Sequence, residues 1–308
     1  MVTQTASSPS KERVLISGAA GQTGRSILEQ LAAMRDKVDV VAGIYSEESK
    51  NQERILEKYN VPHVKLDGLK PDTVEKALEG VTTLILVPVG HEKRQTIGKN
   101  FIEAAAKQKV NRVIMLSTFG AENKDYYFPK QFRPIEEALE QSSVPSWTIV
   151  RPNFYAENLL LYSEHLRAGS LKLPTGQGKF SPICLADVAE IVKHIMWNPE
   201  AHSKKAYELT GPESMNGEAM ANIASKELDH QISFKEISAE EVQEFLNSRN
   251  VPKDTIQGLL EFYDLVKKGR LDVVCIKDFE NICGHSPNNL SWFFKQQAEN
   301  LSSKKGNQ

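Results

Sequence analysis

With 308 residues, 40% of them apolar and 25% charged, the chain has an ordinary globular composition and room for one large α/β domain with a smaller appendage. A formal net charge of -2, with no dense basic cluster, excludes the electrostatic footprint of a nucleic-acid or anionic-membrane binder and leaves small molecules or proteins as partners. The cysteines Cys184, Cys275 and Cys283 are odd in number and form no CxxC, so neither a disulfide framework nor a zinc site is suggested and a reducing compartment is expected.

The opening MVTQTASSPS is polar and lacks the apolar stretch of a signal peptide, and no window reaches the roughly 18 apolar residues of a membrane span. A cytoplasmic protein is expected, with 1–10 and 302–308 as flexible tails.

From Arg13 short β-branched runs alternate with helical stretches. RVLISG is followed by a helix from Thr23 to about Arg35, VDVVAGIY by a helix from about Glu47 to Tyr59, and HVKLD by the helix PDTVEKALEG. TTLILVPV, a longer helix from about Glu92 to Lys109, and RVIMLST continue the beat. Strands alternating with helices in this way build parallel βαβ units, and the order predicts a doubly wound α/β sheet of the Rossmann type. A sixth strand, SWTIVRP, follows a helix that starts near Pro134, whose IEEALEQ carries the 3.6-residue period.

After Pro152 the beat is lost. NFYAENLLLYSEHL reads as helix, LKLPTGQGKFSPI as a loop punctuated by Gly and Pro, and LADVAEIVKHIMW as an amphipathic helix. Further helices are expected around 216–228, 238–248, 255–268 and 290–300, with short strands near AYELTG and ISFKEI. The expected division is a dinucleotide-binding domain over 11–155, rejoined by about 180–198, and a smaller, mostly helical substrate lobe over 156–303 that closes over the carboxyl edge of the sheet.

The strongest local signal is VLISGAAGQTGRSILEQL, in which Gly18, Gly21 and Gly24 stand where a buried strand turns directly into a helix. Gly18 permits the tight turn, Gly21 lets the backbone approach a pyrophosphate, and Gly24 lets helix and strand pack closely, with Ala20, Gln22 and Thr23 completing the cradle at the helix N-terminus.

The GxxGxxG spacing resembles the short-chain dehydrogenase/reductase superfamily, particularly its extended and atypical members. VPSWTIVRPNFYAENLL, GQGKFSPICLADVAEIV and DFENICGHSPNNLSWFFKQQAEN narrow the resemblance to the NmrA-like family, which includes quinone and isoflavone-type reductases, fungal alkaloid reductases and NADP(H) sensors. Together with the glycine loop these blocks span nearly the whole chain, from Val14 to Asn300.

An acidic residue ending the second strand would hold the ribose hydroxyls of NAD and repel the extra phosphate of NADP. Here the strand ends in Tyr45 and Ser46, so NADP(H) is expected ahead of NAD(H), with Ser46 and Lys50 placed to receive a 2′-phosphate and Glu47 and Glu48 opposing it. Further cofactor contacts follow from the ends of successive strands. Asp67 should lie near the adenine, and Val87, Pro88 and Val89 along the path to the nicotinamide ribose. Ser117, Thr118 and Phe119, with Pro152, Asn153 and Phe154, should border the nicotinamide.

Reductases of the wider superfamily use a tyrosine acid/base with a lysine four residues on, and Tyr126 and Lys130 have that spacing, although Pro129 argues against the aligning helix. Atypical relatives instead place a lysine just ahead of the helix that here reads IEEALEQ, and Phe132 occupies that position, flanked by Lys130 and Arg133. The catalytic candidates are therefore Tyr126, Tyr127, Lys130 and Arg133 in a loop from Gly120 to Arg133, with His91, Tyr162 and His165 behind them. No metal site is expected, because the seven histidines show no ligand spacing. Trp197 and Trp292 read as core, while Phe154, Tyr155, Phe180 and Trp292 could equally wall an apolar pocket.

The resemblance implies an NADP(H)-dependent oxidoreductase of secondary metabolism, acting as monomer or homodimer on an apolar, conjugated small molecule such as a quinone, enone or cyclic iminium. Two alternatives stand beside it: a dinucleotide-binding sensor that performs no chemistry, and a redox-neutral cyclase or isomerase that keeps a structural NADP(H).

Overall fold

The computed structural model describes residues 11–45 and 50–301, without the side chains of Lys50, Asn51, Glu53 and Ile55. The expected tails at 1–10 and 302–308 lie outside the described residues. The first half alternates β1 (Glu12–Ile16), α1 (Gln22–Ala32), β2 (Val38–Ile44), α2 (Lys50–Tyr59), β3 (His63–Lys65), α3 (Pro71–Ala77) and β4 (Thr83–Leu86). It continues with α4 (Arg94–Lys107), β5 (Arg112–Leu116), α5 (Tyr127–Glu140) and β6 (Ser146–Pro152). A 3₁₀ segment (Ala156–Tyr162) then leads to α6 (Ser163–Arg167), β7 (Ser170–Leu173), α7 (Leu185–Trp197), α8 (Pro199–His202) and β8 (Lys205–Leu209). The remainder is α9 (Gly217–Glu227), β9 (Ser233–Glu236), α10 (Ala239–Ser248), α11 (Lys253–Lys267), α12 (Lys277–Cys283), α13 (Leu290–Gln296) and α14 (Ala298–Leu301).

Seven parallel strands form one sheet in the order β3-β2-β1-β4-β5-β6-β8, a doubly wound Rossmann-type sheet with helices on both faces. Its central strands are apolar because both faces are covered: every residue of TLIL in β4 and RVIML in β5 is buried. On one face Ile27, Leu28 and Leu31 of α1 pack with Val188, Ile191, Val192 and Ile195 of α7. On the other, Val74, Ile97, Phe101, Ile135 and Leu139 of α3, α4 and α5 cover the strands. A further apolar cluster, including Tyr162, Leu166, Leu173, Met220, Leu246, Leu259 and Phe293, forms the interior of the smaller lobe. The strand order reverses between β1 and β4, and ligands of open α/β sheets bind in the crevice at such a reversal.

Four features differ from the sequence expectation. The AYELTG strand, expected away from the sheet, is β8 and runs parallel to β6 from Thr148↔Lys205 to Pro152↔Leu209. The expected loop LKLPTGQGKFSPI begins with a strand, because Leu171 and Leu173 are both buried when β7 pairs with β9. Helix α5 starts at Tyr127 and not near Pro134. Pro129 falls in its first turn, where the N–H has no intrahelical partner, and the Lys130 carbonyl that Pro134 leaves without a donor accepts from Gln95 Nε2 at 3.1 Å. Finally, Trp197 is 41% exposed with the Lys37 ammonium over its ring and is not a core residue, while Trp292 is partly buried and packs at the edge of the lobe's apolar cluster. Among the described residues no helix is long and apolar enough to cross a membrane.

Candidate functional site

The turn from β1 into α1 is built around Gly18, whose φ of 62° is a left-handed conformation that favours glycine. A Cβ at Gly24 would overlap the Gly18 carbonyl, so the helix can approach the strand only without one. The loop is tied to its neighbours: Ala19 N donates to the Gly43 carbonyl at 3.1 Å, and Val87 N donates to Ser17 Oγ at 2.8 Å. Gly21 is the N-cap of α1 and offers no side chain to cap it, so among the described residues its first N–H groups lack a side-chain acceptor beside the exposed Gly21 and Gln22. Ala20 and Thr23 are partly buried beside them. That arrangement is a cradle for an anion such as a pyrophosphate.

Tyr45 follows β2, and its hydroxyl is buried without a hydrogen-bond partner among the described residues. Burial, reinforced by the charge of Asp67, pushes this phenol far above its ordinary pKa. Asp67 follows β3 and is fixed in a turn by Leu69 N at 2.9 Å and by Lys70 at 3.2 Å. The Leu69 N–H first, and then Lys70, hold its carboxyl below the usual range. Ser46 and the side chain of Lys50, the expected phosphate contacts, lie outside the described residues.

Beyond the loop a cavity of about 520 Å³ opens over the carboxyl ends of β4, β5 and β6. Thr23, Val87 and Pro88 line it, as do Ser117, Thr118 and Phe119 after β5 and Pro152, Asn153 and Phe154 at the end of β6. Val89 packs against the apolar layer around α4, and its carbonyl accepts from Arg94 Nε at 2.8 Å. At the ends of β5 and β6 two polar atoms on the cavity residues are orphaned: Ser117 Oγ and Asn153 Nδ2 are buried without a partner among the described residues, although Asn153 Oδ1 accepts from Phe154 N. Buried polar groups are normally paired, so these two fit a ligand with hydrogen-bonding groups of its own, such as the carboxamide and ribose of a nicotinamide nucleotide.

The opposite wall comes from α11, whose Thr255, Gly258, Leu259 and Phe262 share one helical face toward the cavity. A Cβ at Gly258 would overlap the Phe128 ring, so this glycine sets how closely α11 and α5 approach. Phe154 stacks on Phe262 at 5.0 Å, with Phe180 edge-on behind it at 5.1 Å. Tyr155 also lines the cavity, its hydroxyl bonded to Thr23 and its pKa pushed up to about 12 by burial. Trp292 is absent from the cavity wall.

Of the four catalytic candidates, Tyr126 alone lines the cavity. Tyr127 begins α5 and donates its hydroxyl to Asp254 Oδ1 at 2.5 Å; burial first, and that hydrogen bond second, raise its pKa to about 12. Lys130 is one helical turn from Tyr126, with Lys130 N donating to the Tyr126 carbonyl, yet its side chain is exposed and not part of the wall. Arg133 is held by Glu136 and Glu140 in a network that includes the buried Arg151. The expected loop from Gly120 to Arg133 is thus a loop only up to Tyr126; from Tyr127 it is the opening of a helix, and helical geometry turns Lys130 and Arg133 away from the cavity. Of the weaker candidates, His91 accepts from Lys93 N, Tyr162 bonds the Tyr263 hydroxyl inside the lobe, and His165 stacks on Phe245.

Sequence reasoning missed Arg94, which is 3% exposed and borders the cavity from the start of α4. Its Nη2 donates to Asp254 Oδ2 at 2.6 Å, and its guanidinium lies 4.8 Å from the ring centre of Phe132, a second cavity residue. Glu261, also on the wall, accepts from Tyr127 N. Nothing local marks Arg94, but the spacing of Thr255, Gly258, Leu259 and Phe262 could have flagged α11.

The family model described as the NmrA-like family matches residues 10–303. Prestalk A differentiation protein A of Dictyostelium discoideum is 24% identical over 303 residues, covering 97% of each chain. An NAD(P)H azoreductase of Xenophilus azovorans is 26% identical over 200 residues, covering 65% of this chain and 70% of its own. Among solved structures, the NADPH-dependent quinone oxidoreductase of Escherichia coli complexed with NADPH superposes with a TM-score of 0.79 at 22% identity, covering 92% of this chain and 99% of that one.

Proposed function

Because the chain belongs to the NmrA-like family, we propose that it is an NADP(H)-dependent oxidoreductase that reduces an apolar, conjugated small molecule such as a quinone, enone or cyclic iminium. The observation that carries the proposal is the pair of orphaned groups, Ser117 Oγ and Asn153 Nδ2, in an aromatic-walled cavity that Thr23 of the glycine loop also lines. The names of the azoreductase and the quinone oxidoreductase add support, since both act on conjugated acceptors with a nicotinamide donor.

When bound, NADPH supplies a hydride. The residues of the chain do the rest. Gly18 to Gly24 and the N-terminus of α1 hold the pyrophosphate, and Tyr45 and Asp67 border the adenosine. Ser117 and Asn153 fix the nicotinamide end, and Phe154 and Phe262 keep water from the acceptor. Tyr126 is the hydroxyl assigned to proton delivery. The three unpaired cysteines suit a cytosolic enzyme, with a small molecule of secondary metabolism as its partner.

Calorimetric titration with NADPH and NADH tests the cofactor assignment. Tighter binding of NADPH is expected, because Tyr45 and no carboxylate follows β2. Equal affinities or a preference for NADH would overturn it.

A further inference from the structure

Arg94 is buried at the cavity wall with only part of its hydrogen-bonding capacity used. Its Nε donates to the Val89 carbonyl and its Nη2 to Asp254, while Nη1 is buried with no partner among the described residues. A guanidinium has five N–H donors in a rigid fork and cannot deprotonate, so an unfilled nitrogen on a desolvated arginine is a strong site for an oxygen acceptor. The rings of Phe132 and Phe128, with centres 4.8 and 5.8 Å from the guanidinium carbon, hold it in place and provide flat apolar surface beside it.

We infer that Arg94 is the oxygen anchor of the substrate site: its Nη1 donates to the carbonyl oxygen of a conjugated acceptor whose ring lies along Phe128 and Phe132. This rests on the reductase reading above. The charge balance selects the oxygen. Asp254 pairs with Arg94, and the other two charged residues on the wall, Glu261 and Arg270, carry opposite formal charges, so the cavity has no net charge to hold a carboxylate and favours a neutral carbonyl. During reduction the acceptor takes a hydride from NADPH, which is oxidised to NADP+, and its C=C–C=O electrons shift so that negative charge rests on the carbonyl oxygen until a proton from Tyr126 or solvent neutralises it. Arg94 stabilises the oxygen most strongly at that moment, so its contribution appears in turnover as well as in binding.

Arg94→Lys retains a cation for Asp254 and removes the free donor. For this variant, kcat/KM on a naphthoquinone or cyclic enone is expected to fall by on the order of a hundredfold, the usual cost of one lost oxyanion donor. Reduction of an oxygen-free cyclic iminium and the affinity for NADPH should stay within about threefold. The double variant Arg94→Gln with Asp254→Asn removes the pair without stranding a charge and should show the same selective loss. Equal losses on both acceptors, or no loss on the quinone, would overturn the assignment. A parental protein that oxidises no NADPH with any acceptor would contradict the reductase reading alone. In that case 4-nitrophenol binding to the NADP+-loaded protein decides: at least tenfold weaker binding by Arg94→Lys supports the anchor, and unchanged binding refutes it.

Discussion

Arg94 and Asp254 are 160 positions apart in the chain, and their side chains, 4% and 8% exposed, form an ion pair of 2.6 Å that joins the start of α4 to the start of α11. The same carboxylate accepts the hydroxyl of Tyr127 from the first turn of α5. One buried charge pair therefore sets where three helices meet beside the cavity.

Removing one partner strands the other charge in a dry environment. Asp254→Ala is expected to lower stability by about 3–5 kcal/mol, whereas replacing both Arg94 and Asp254 with leucine should cost far less. Denaturant unfolding of both variants checks this, and a small effect of the single change would mean that solvent reaches the pair.

Gly21 and Gly24 should fail in different ways. Gly21 has an ordinary extended backbone at the exposed N-cap, so Gly21→Val is expected to abolish dinucleotide binding while the fold survives. A Cβ at Gly24 overlaps the Gly18 carbonyl, so Gly24→Val should destabilise the domain itself. Cofactor titration and thermal unfolding, run on both, separate the two outcomes.

Tyr126→Phe is expected to slow turnover by on the order of a hundredfold with cofactor affinity nearly unchanged, the usual size of a lost general acid. Tyr127→Phe should instead lower stability, because its hydroxyl is committed to Asp254 and the variant leaves that buried carboxylate one donor short. A slower Tyr127→Phe enzyme with intact stability would exchange the two roles.

Two acids at the N-terminus of α7 should give stability an unusual pH dependence. Glu157 accepts from Leu185 N with both oxygens, and burial pushes its pKa up to about 7; Asp187, bonded to Asn288, is pushed up to about 6. Acids with raised folded-state pKa values bind protons more tightly in the native state, so their contribution to stability is greatest at low pH and is lost as pH rises through 6 to 7. Glu157→Gln is expected to flatten that slope and to stabilise the protein at pH 8 by on the order of 1 kcal/mol, discounted because Glu157 is only partly buried. A slope equal to the parent's between pH 5 and pH 8 would show that Glu157 stays ionised throughout.

Much of this architecture is legible in the chain because it depends on local periodicity. The apolar runs of β4 and β5 and the glycine turn into α1 carry their own signals, and LADVAEIVKHIMW coincides with α7, Leu185–Trp197. What stays hidden depends on distant partners. The run KAYEL reads as a strand wherever it sits, and only Thr148 to Pro152 beside it make it part of the main sheet. Pro129 and Pro134 mask the first half of α5, since a missing N–H costs nothing in a first turn and Gln95 makes good the second. Arg94 looks like one more solvated cation at a helix start until Asp254, Phe128 and Phe132 close around it.

Whether this chain moves hydride is read from the cofactor absorbance on mixing the protein with NADPH and a panel of quinones, enones and cyclic iminium ions. Acceptor-dependent loss of NADPH, one equivalent for each acceptor reduced, is the expected result. Tight NADPH binding with no oxidation by any acceptor would leave a dinucleotide-binding protein without redox chemistry, and no reductase.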